Sequence, residues 1–456
     1  MEQIRRLYSF IKERTVGSHE LSSVYFKQVN GTLIIKLAGV LISFVYVPIV
    51  LGFLDQEKFG IWITLNTIVR WLRLADIGIG GGMRLKLSQA LANKDNEKGR
   101  EHISTTYGII GGIFLFLLLV FYFVNPSLDW QKILNSSLIP GDELFWLTTV
   151  TVTFVVLGFI LKTVNFIYLA HGYSIPEGLT HMVSSVLTLL LLLLVSRFGE
   201  KGNIILLAAI VTGDQVIIYF FFSIYTFLLK FTHLRPSFSL IRLKESGSLM
   251  AMSLQSFVSS ITYLVIYGSV PFVVAHLFSP GEVTVFNIAY SLFNLPIMII
   301  SLLVAPVKPL ITLAYTRNDY GWIRMMQGKL NKISLAVVAG TIVLIIFNQF
   351  IYHVWIGDKV DIPFWLSLSI GVFAIVNVLQ FSNSIIVLGT GKMMINVILS
   401  PINIGLYLGL TFILSRIMHN LISVSIALTV TCLIPLIVYP FWLKKVMPEN
   451  QSALVP

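Results

Sequence analysis

The sequence predicts an all-α, polytopic membrane protein with twelve transmembrane helices in two parallel six-helix lobes. Three observations lead to this fold class. Of the 456 residues, 56% are hydrophobic and only 12% are charged, whereas an average soluble protein carries about 25% charged residues. Twelve apolar runs are each long enough to cross a bilayer, and two stretches of the chain repeat at nearly the same offset. An ordinary water-soluble enzyme is excluded, because the chain has too few polar side chains to cover its surface.

The twelve spans follow from apolar runs, since a helix needs about 20 mostly apolar residues to cross the hydrocarbon core. The runs cover residues 31–51, 59–80, 105–124, 144–168, 179–196, 204–227, 249–277, 283–304, 333–352, 364–388, 395–414 and 421–443. Three of them contain a proline, at Pro48, Pro271 and Pro296. Membrane helices tolerate such prolines where they kink or line a cavity.

Residues 1–30 precede the first span and are too charged for a signal peptide, because Arg5, Arg6, Lys12 and Arg14 interrupt any apolar core. Their apolar residues fall at helical spacing, which predicts a cytoplasmic segment along the membrane surface. These apolar positions are Ile4, Leu7, Tyr8 and Ile11. A disordered basic tail is the alternative.

The net charge of +11 is unevenly distributed over the predicted loops. With the N-terminus inside, 22 of the 32 Lys and Arg residues fall on the cytoplasmic side, 6 on the external side and 4 within spans. This bias predicts that both termini are cytoplasmic. It also argues against a nucleic-acid partner, because insertion alone explains positive charge spread over several inside loops.

An internal repeat predicts the two lobes. Residues 47–54 align with 270–277 at an offset of 223, and the loop after the second span aligns with that after the eighth at 224. In that loop Arg84 matches Lys308 and Asp95 matches Asp319. Each unit has six spans and therefore enters the membrane in the same direction, an arrangement found in transporters whose two halves rock about a central site. The predicted divisions are an N-lobe over 31–227, a cytoplasmic linker over 228–248, a C-lobe over 249–443 and a cytoplasmic tail over 444–456.

Six charged residues lie within the predicted spans, and all six belong to the N-lobe. They are Lys36, Arg70, Arg73, Asp76, Lys162 and Asp214. A charge in hydrocarbon costs about 2.5–3.5 kcal/mol on insertion scales and usually faces a cavity or a partner. Internal ion pairs that serve packing, and snorkelling of Lys36 and Lys162, are one explanation. Pairing does not neutralise the set, however, because four cations face two anions.

The surplus of positive charge predicts an anionic ligand in the N-lobe. Arg70, Arg73 and Asp76 follow at three-residue spacing on one helix face. Two arginines on one face suit phosphate or pyrophosphate, since each guanidinium offers paired donors. In the C-lobe the corresponding polar residues are neutral and could contact sugar hydroxyls, or simply join helices by hydrogen bonds. These residues are Asn287, Tyr290, Asn294, Asn377, Gln380 and Asn383.

Motifs for catalysis and cofactors are not recognisable in the sequence. The only cysteine, Cys432, lies in an apolar run, so the chain cannot form an intramolecular disulfide or a cysteine-rich metal site. Residues 389–392 lack the earlier glycine of a phosphate-binding loop and are predicted to form a short turn. No cofactor or metal is predicted.

One stretch carries a resemblance to a known family. It resembles the second span and following loop of bacterial O-antigen and capsule flippases, in the polysaccharide transport family of the multidrug, oligosaccharidyl-lipid and polysaccharide exporter superfamily. The residues are Phe59-Gly60-Ile61-Trp62, Asp76-Ile77-Gly78-Ile79-Gly80, Met83-Arg84-Leu85-Lys86-Leu87 and Ala90-Leu91-Ala92. The resemblance implies a bacterial inner-membrane protein and a lipid-linked oligosaccharide substrate, with polysaccharide polymerase and chain-length machinery as partners.

The predicted function is therefore alternating-access translocation of undecaprenyl-pyrophosphate-linked oligosaccharide units to the periplasmic leaflet, for O-antigen or capsule synthesis. Arg70 and Arg73 would hold the pyrophosphate, and Lys36 and Lys162 would help its entry. Asp76 and Asp214 would tune these charges or couple transport to protons or sodium. A multidrug exporter of the same superfamily and a membrane polysaccharide polymerase are the alternatives.

Overall fold

The structure is a computed structural model, and it describes residues 19–72, 79–198, 201–242, 261–304, 307–392 and 394–447. These residues form α-helices joined by short loops, without a strand. The helices are α1 His19–Phe53, α2 Gln56–Arg70, α3 Ile79–Ala92, α4 Asn96–Val124, α5 Trp130–Ile133, α6 Gly141–Lys162, α7 Val164–Ala170, α8 Ile175–Phe198, α9 Ile204–Tyr225, α10 Val270–Leu277, α11 Pro280–Val304, α12 Val307–Thr316, α13 Tyr320–Ile356, α14 Phe364–Thr390, α15 Met394–Met418 and α16 Ile422–Val446. The predicted all-α membrane fold is confirmed.

Ten helical segments among the described residues are long and apolar enough to cross a membrane. The second and seventh predicted spans complete the twelve. The second is described as the 15-residue α2, and the seventh as an apolar helical stretch over Ile261–Leu277. The predicted fourth span is one segment over Gly141–Ala170 with a local irregularity at Thr163, between α6 and α7, where the backbone keeps right-handed helical angles. The predicted turn after span ten is present, since Gly391 follows α14 with φ of 70° in the left-handed region.

The internal repeat is visible in backbone geometry. Asp95 precedes α4 and Asp319 precedes α13, and each aspartate accepts a hydrogen bond at 3.0 Å from the backbone N–H three residues later. The residues just before them, Lys94 and Asn318, both have φ of 57°. Two loops separated by 224 positions therefore have the same left-handed residue followed by the same helix cap, as the repeat predicts.

The hydrophobic core is continuous across both lobes at one end of the bundle only. That end carries the loops that the charge distribution assigns to the outside, and we call it the outer end. One buried cluster there joins residues of both lobes, such as Val50 and Leu65 with Val274 and Ala289. At the opposite, inner end, the described buried residues form two clusters. One contains N-lobe residues with Phe231 and Leu234 of the linker, and the other contains C-lobe residues with Met447 of the tail.

Candidate functional site

The lobes are joined at the outer end by contacts between α1 and the end of α13. The indole of Trp355 stacks on the ring of Phe44 with centroids 4.2 Å apart, and its Nε1 donates to the carbonyl oxygen of Phe44 at 2.7 Å. Beyond α13, Lys359 Nζ donates to the carbonyl oxygen of Pro48 at 3.3 Å. These contacts close the outer end between the two lobes.

A second junction fixes α2 against α11. Thr284 Oγ1 donates to the carbonyl oxygen of Gln56 at 2.6 Å, and Gln56 Nε2 donates to that of Gly281 at 3.2 Å. The backbones come so close that a Cβ on Gly60 would lie 1.7 Å from the carbonyl oxygen of Pro280. Glycine is required at this position, and the two helices descend together from the outer end.

This junction places Arg70 in a pocket between the lobes. Arg70 is the last residue of α2, about 21 Å along the helix from Gln56 at 1.5 Å per residue. The other residues that line the pocket belong to the C-lobe: Tyr267, Gly268, Val270, Pro271, Val274, Val283, Phe286, Asn287 and Tyr290. The Arg70 side chain is exposed and has neither an ion-pair nor a hydrogen-bond partner among the described residues. Its charge is therefore available to a ligand.

A polar stripe on α11 faces this arginine. Asn287, Tyr290 and Asn294 are half-buried and recur at three- and four-residue spacing, so they lie on one helix face. Two of them, Asn287 and Tyr290, line the pocket with Arg70. The side chains of these three residues have no hydrogen-bond partner within the described part of the chain. The structure thus brings Arg70, which is predicted to bind phosphate, into one pocket with Asn287 and Tyr290, which are predicted to contact sugar.

A tyrosine that sequence reasoning missed completes the pocket wall. Tyr267 lies in a π-helical turn over Leu264–Gly268, a conformation that often marks functional sites. Its hydroxyl lies 3.1 Å from Cys432 Sγ and accepts from Asn377 Nδ2 at 3.4 Å. The ring of Tyr263, which is 66% exposed, lies 5.1 Å from the Tyr267 ring. The sequence contained one indication of this wall, the four-residue spacing of Tyr263 and Tyr267 next to Gly268.

The remaining amides of α14 are occupied by helix contacts. Asn377 is bound to Tyr267 as described, and Gln380 Nε2 donates weakly to Ser384 Oγ at 3.4 Å. Asn383 is buried, and its side-chain oxygen accepts from Gln327 Nε2 at 2.8 Å. None of the three lines the Arg70 pocket. Within the described residues, the alternative explanation of helix joining fits Asn377 and Asn383 better than sugar contact does.

Lys36 lies on α1 outside the pocket, on an exposed polar face. It shares that face with Ser43, because seven residues make two helical turns. Of the exposed apolar residues of α1, Ile34, Leu41 and Val45 are offset from Lys36 by about half a turn, whereas Leu37 follows it directly in the sequence. Lys36 thus lies opposite most of the exposed apolar residues of its helix, and it has no charged partner among the residues described.

The other predicted N-lobe charges have different surroundings. Lys162 is half-buried at the end of α6 and is not a free cation. Arg73 and Asp76 lie outside the described residues, so their predicted roles stay predictions.

Asp214 lies on α9 and is 2% exposed. The packing alternative for this residue was an ion pair with a basic residue. Its Oδ2 instead accepts hydrogen bonds from Ser184 Oγ at 2.9 Å and from Thr188 Oγ1, both on α8. Its Oδ1 has no hydrogen-bond partner, and no Lys or Arg pairs with it within the described ranges. The packing alternative of an ion pair at Asp214 therefore does not hold among the described residues, because hydroxyl donors of the adjacent helix occupy that side of the carboxyl group.

Comparison with known proteins adds a family and a fold. The family model described as a polysaccharide biosynthesis protein matches residues 26–312, more than half of the chain. No curated protein matches the sequence.

Several solved structures share the fold over nearly the whole chain. One is the inward-facing conformation of a multidrug resistance MATE family transporter of the MOP superfamily, with a TM-score of 0.76 and 14% identity over 94% of this chain and 99% of that one. An outward-facing conformation of such a transporter gives a TM-score of 0.66 and 15% identity over 93% and 95%. A MATE structure in the straight conformation gives 0.66 and 16% over the same shares. At these identities the likeness concerns the fold.

Proposed function

The chain belongs to the polysaccharide biosynthesis protein family, and from this membership and the pocket around Arg70 we propose that it is a lipid-linked oligosaccharide flippase. It moves a polyprenyl-pyrophosphate-linked oligosaccharide from the cytoplasmic to the outer leaflet of a bacterial inner membrane, with both termini cytoplasmic. The product serves O-antigen or capsule synthesis, together with a polymerase and chain-length machinery. The lobes 31–227 and 249–443 are the moving parts.

One observation carries this proposal. Arg70 has no ion-pair partner among the described residues, and its guanidinium faces neutral donors and acceptors of the other lobe. A pyrophosphate needs paired N–H donors, which a guanidinium supplies. The attached sugar needs neutral groups within reach, and Asn287 and Tyr290 line the same pocket. The pocket thus combines a cation for the anionic part of a head group with neutral groups for its hydroxyl-rich part.

The other predicted residues take supporting roles. Lys36, on the polar face of α1, and Lys162 guide the anion from the inner leaflet, and Arg73 adds a second guanidinium. Asn294 extends the sugar contacts along α11, while Asn377, Gln380 and Asn383 hold the C-lobe wall. Asp76 and Asp214 tune the positive charge or couple transport to an ion gradient.

Alternating access fits the distribution of contacts. The shared core and the junctions of Trp355 and Gln56 lie at the outer end, whereas the inner end has a separate core in each lobe. We assign this conformation to the state that receives substrate from the cytoplasmic side. The higher TM-score to an inward-facing transporter supports the assignment. The lipid tail stays in the bilayer between the lobes.

A multidrug exporter is the second candidate, and the shared fold with multidrug MATE transporters favours it. Its usual cationic substrates would meet Arg70 and Lys36, which repel them. Among the described residues, the pocket contains no carboxylate to compensate.

The test uses the full-length protein in proteoliposomes with a fluorescent short-chain polyprenyl pyrophosphate disaccharide. Dithionite bleaches the dye in the outer leaflet, so flipping increases the bleached fraction beyond half. We expect flipping of this probe and no transport of ethidium. Transport of ethidium without flipping would support the exporter instead, and formation of longer glycan in detergent without a bilayer would support a polymerase.

A further inference from the structure

A second cavity lies at the outer end of the N-lobe, at the loop that joins α4 to α6. Its volume is about 360 Å³, within the range of about 300–1,000 Å³ that is usual for small-molecule sites. We call it the outer pocket. Its wall includes Asn125, Asp129, Trp130, Gln131, Gly141 and Phe145. It shares no lining residue with the pocket around Arg70.

The wall of the outer pocket is held in place by both lobes. Trp130 Nε1 donates to Asn125 Oδ1 at 2.7 Å, which fixes the indole against the end of α4. Trp130 and Leu134 are buried in the core cluster that joins the two lobes. Farther along the loop, Asn135 Nδ2 donates to the carbonyl oxygen of Ala275, in the C-lobe, at 2.7 Å. The pocket is therefore preformed, and a ligand that enters it has little protein to order.

Two aromatic side chains belong to this wall. Trp130 begins α5, and Phe145 lies one turn into α6, where it is half-buried. The Phe145 ring is restrained by an edge contact with the Trp146 ring, with centroids 5.4 Å apart. The C–H groups on the face of a pyranose are apolar and slightly positive, so they pack well against the negative face of an aromatic ring. Aromatic walls beside a few polar groups are thus suited to a sugar.

Neutral polar groups of the outer pocket remain available for hydrogen bonds. Gln131 Nε2 donates to the carbonyl oxygen of Ile139 at 3.0 Å, which leaves Oε1 without a partner among the described residues. Gly141 begins α6 after Pro140, and no side chain caps that helix end. The first N–H groups of a helix have no acceptor within the helix, so Gly141 offers a backbone donor. An acceptor and a donor in one small cavity match hydroxyl groups, which both donate and accept.

The charge of the outer pocket disfavours an anion. Asp129 is a charged residue of the wall, and its carboxylate accepts from the backbone N–H of Lys132 at 3.1 Å and pairs with Lys132 Nζ at 2.9 Å. The first turn of α6 adds Asp142 and Glu143, while no Lys or Arg of the described chain lines the cavity. A carboxylate has about four acceptor sites, so Asp129 can also accept from sugar hydroxyls. The pocket therefore favours a neutral, hydroxyl-rich ligand, in contrast to the Arg70 pocket.

Exposed aromatic side chains place the outer pocket at the membrane surface. Tyr122 and Phe123, at the end of α4, and Trp146, in the second turn of α6, are all exposed. Such residues gather where the hydrocarbon meets water. The outer pocket lies next to them on the same two helices, at the level of the lipid head groups. A sugar that is linked to a lipid of the outer leaflet can therefore reach it.

We propose that the outer pocket binds one pyranose ring of a neutral oligosaccharide at the outer face of the membrane. The ring packs against Trp130 and Phe145, its hydroxyls donate to Gln131 Oε1 and Asp129, and one of them accepts from the Gly141 N–H. That this sugar belongs to a translocated lipid-linked unit rests on the proposed transport function, whereas binding of a sugar does not.

The test is saturation-transfer difference NMR of the full-length protein in phosphatidylcholine nanodiscs, whose head groups carry no hydroxyl. The probes are the methyl pyranosides of glucose, galactose, mannose and N-acetylglucosamine. We expect transfer of saturation from the protein to the ring protons of at least one of these glycosides. If none of them shows transfer above the level of empty nanodiscs, the proposal is overturned.

Substitutions in the wall locate the binding. Gly141→Leu should abolish the transfer, because nothing lies within 4 Å of a Cβ added there and the new side chain fills the cavity without a clash. Gly409→Leu is the matched control, since Gly409 also has open space beside it but lies on an exposed face of α15. Phe145→Leu keeps an apolar side chain and loses the aromatic face, so the affinity should fall about fivefold. Phe123→Leu, outside the pocket, should bind as the wild type does.

Thermal melting of each variant verifies folding. Wild-type transfer in a folded Gly141→Leu variant would place the sugar elsewhere and overturn the proposal. A lipid head group is the other source of hydroxyl groups, and nanodiscs with phosphatidylglycerol test it, because that head group ends in a glycerol. An unchanged glycoside signal is expected there, and its loss would assign the pocket to lipid instead. Because no transport is measured, failure of the flipping assay and failure of sugar binding are separate results.

Discussion

Removal of the Arg70 side chain should abolish most of the affinity for pyrophosphate without harming the fold. Arg70 is exposed in the pocket, and within the described part of the chain it makes no ion pair or hydrogen bond that its loss would break. Arg70→Ala should therefore melt within about 1 °C of the wild type, because surface substitutions away from such contacts change stability by roughly 0.5 kcal/mol or less. Any loss of function can then be attributed to the ligand.

The magnitude follows from the kind of contact that is lost. A hydrogen bond to a charged group contributes about 1.5–3 kcal/mol, and 1.4 kcal/mol corresponds to a factor of ten in affinity. Loss of one such contact lowers the affinity by about 10- to 150-fold. Arg70→Lys retains the charge but loses the paired donors, so we expect an intermediate loss.

The assay is binding of a short-chain polyprenyl pyrophosphate to the protein in nanodiscs, with the corresponding monophosphate as a second ligand. Arg416 provides the matched control, since it lies at the outer end of α15 with its guanidinium 4.2 Å from the ring of Phe412. Arg416→Ala should bind like the wild type. A dissociation constant for Arg70→Ala within twofold of the wild type would refute the assignment of this residue to the phosphate.

Three further predictions concern the outer junction and the repeated cap. Gly60→Ala should populate an outer-open conformation, because the Cβ of the new alanine would lie 1.7 Å from a backbone oxygen of α11 and overpacking costs about 1–3 kcal/mol. Distance measurements between spin labels on the two lobes would detect the shift. An unchanged distance distribution would contradict the prediction. Trp355→Phe keeps the stacking on Phe44 but loses the 2.7 Å hydrogen bond, so the closed conformation of the outer end should be destabilised by about 0.5–1.5 kcal/mol. The same spin labels measure the population of this conformation. Trp365→Phe is the control, because Trp365 is exposed. Asp95→Ala removes a cap whose backbone N–H donor lowers the pKa of this carboxyl. Because the folded-state pKa is lowered, the contribution of the cap is full above the unfolded value of about 3.9 and is lost progressively as the pH falls from there through the lower folded-state pKa. The difference in melting temperature between wild type and variant should therefore shrink at pH 3, and a constant difference would be inconsistent with this cap.

Much of the fold could be predicted from the sequence because its signals are local. Apolar runs of about 20 residues identify membrane helices wherever they pack. The repeat was readable from Asp95 and Asp319, since helix caps depend on a few neighbouring residues. The local irregularity at Thr163 was not predicted, because the run over 144–168 is apolar on both sides of it and contains no proline.

The candidate site could be predicted only in part. Arg70, Asn287 and Tyr290 were identified by residue type and spacing, and they do lie in one pocket. Tyr267 and Tyr263 were missed because a tyrosine in an apolar run fits a lipid-facing or core position equally well. Asn383 has the same residue type as Asn287, but it binds Gln327 from another helix, a contact that sequence spacing within one helix does not reveal.

The sequence by itself determined that this is a two-lobed helical membrane protein in which the charged residues of the predicted spans are confined to one lobe, because hydropathy and charge are properties of each segment alone. Only the tertiary structure decided which charges are available to a ligand. The contact of α2 with α11 joins residues 225 positions apart and turns Arg70 toward the C-lobe. The rotation of α8 against α9 gives Asp214 two hydroxyl donors in place of a basic partner. Such pairings depend on how helices rotate and approach in three dimensions, and one-dimensional patterns do not contain that information.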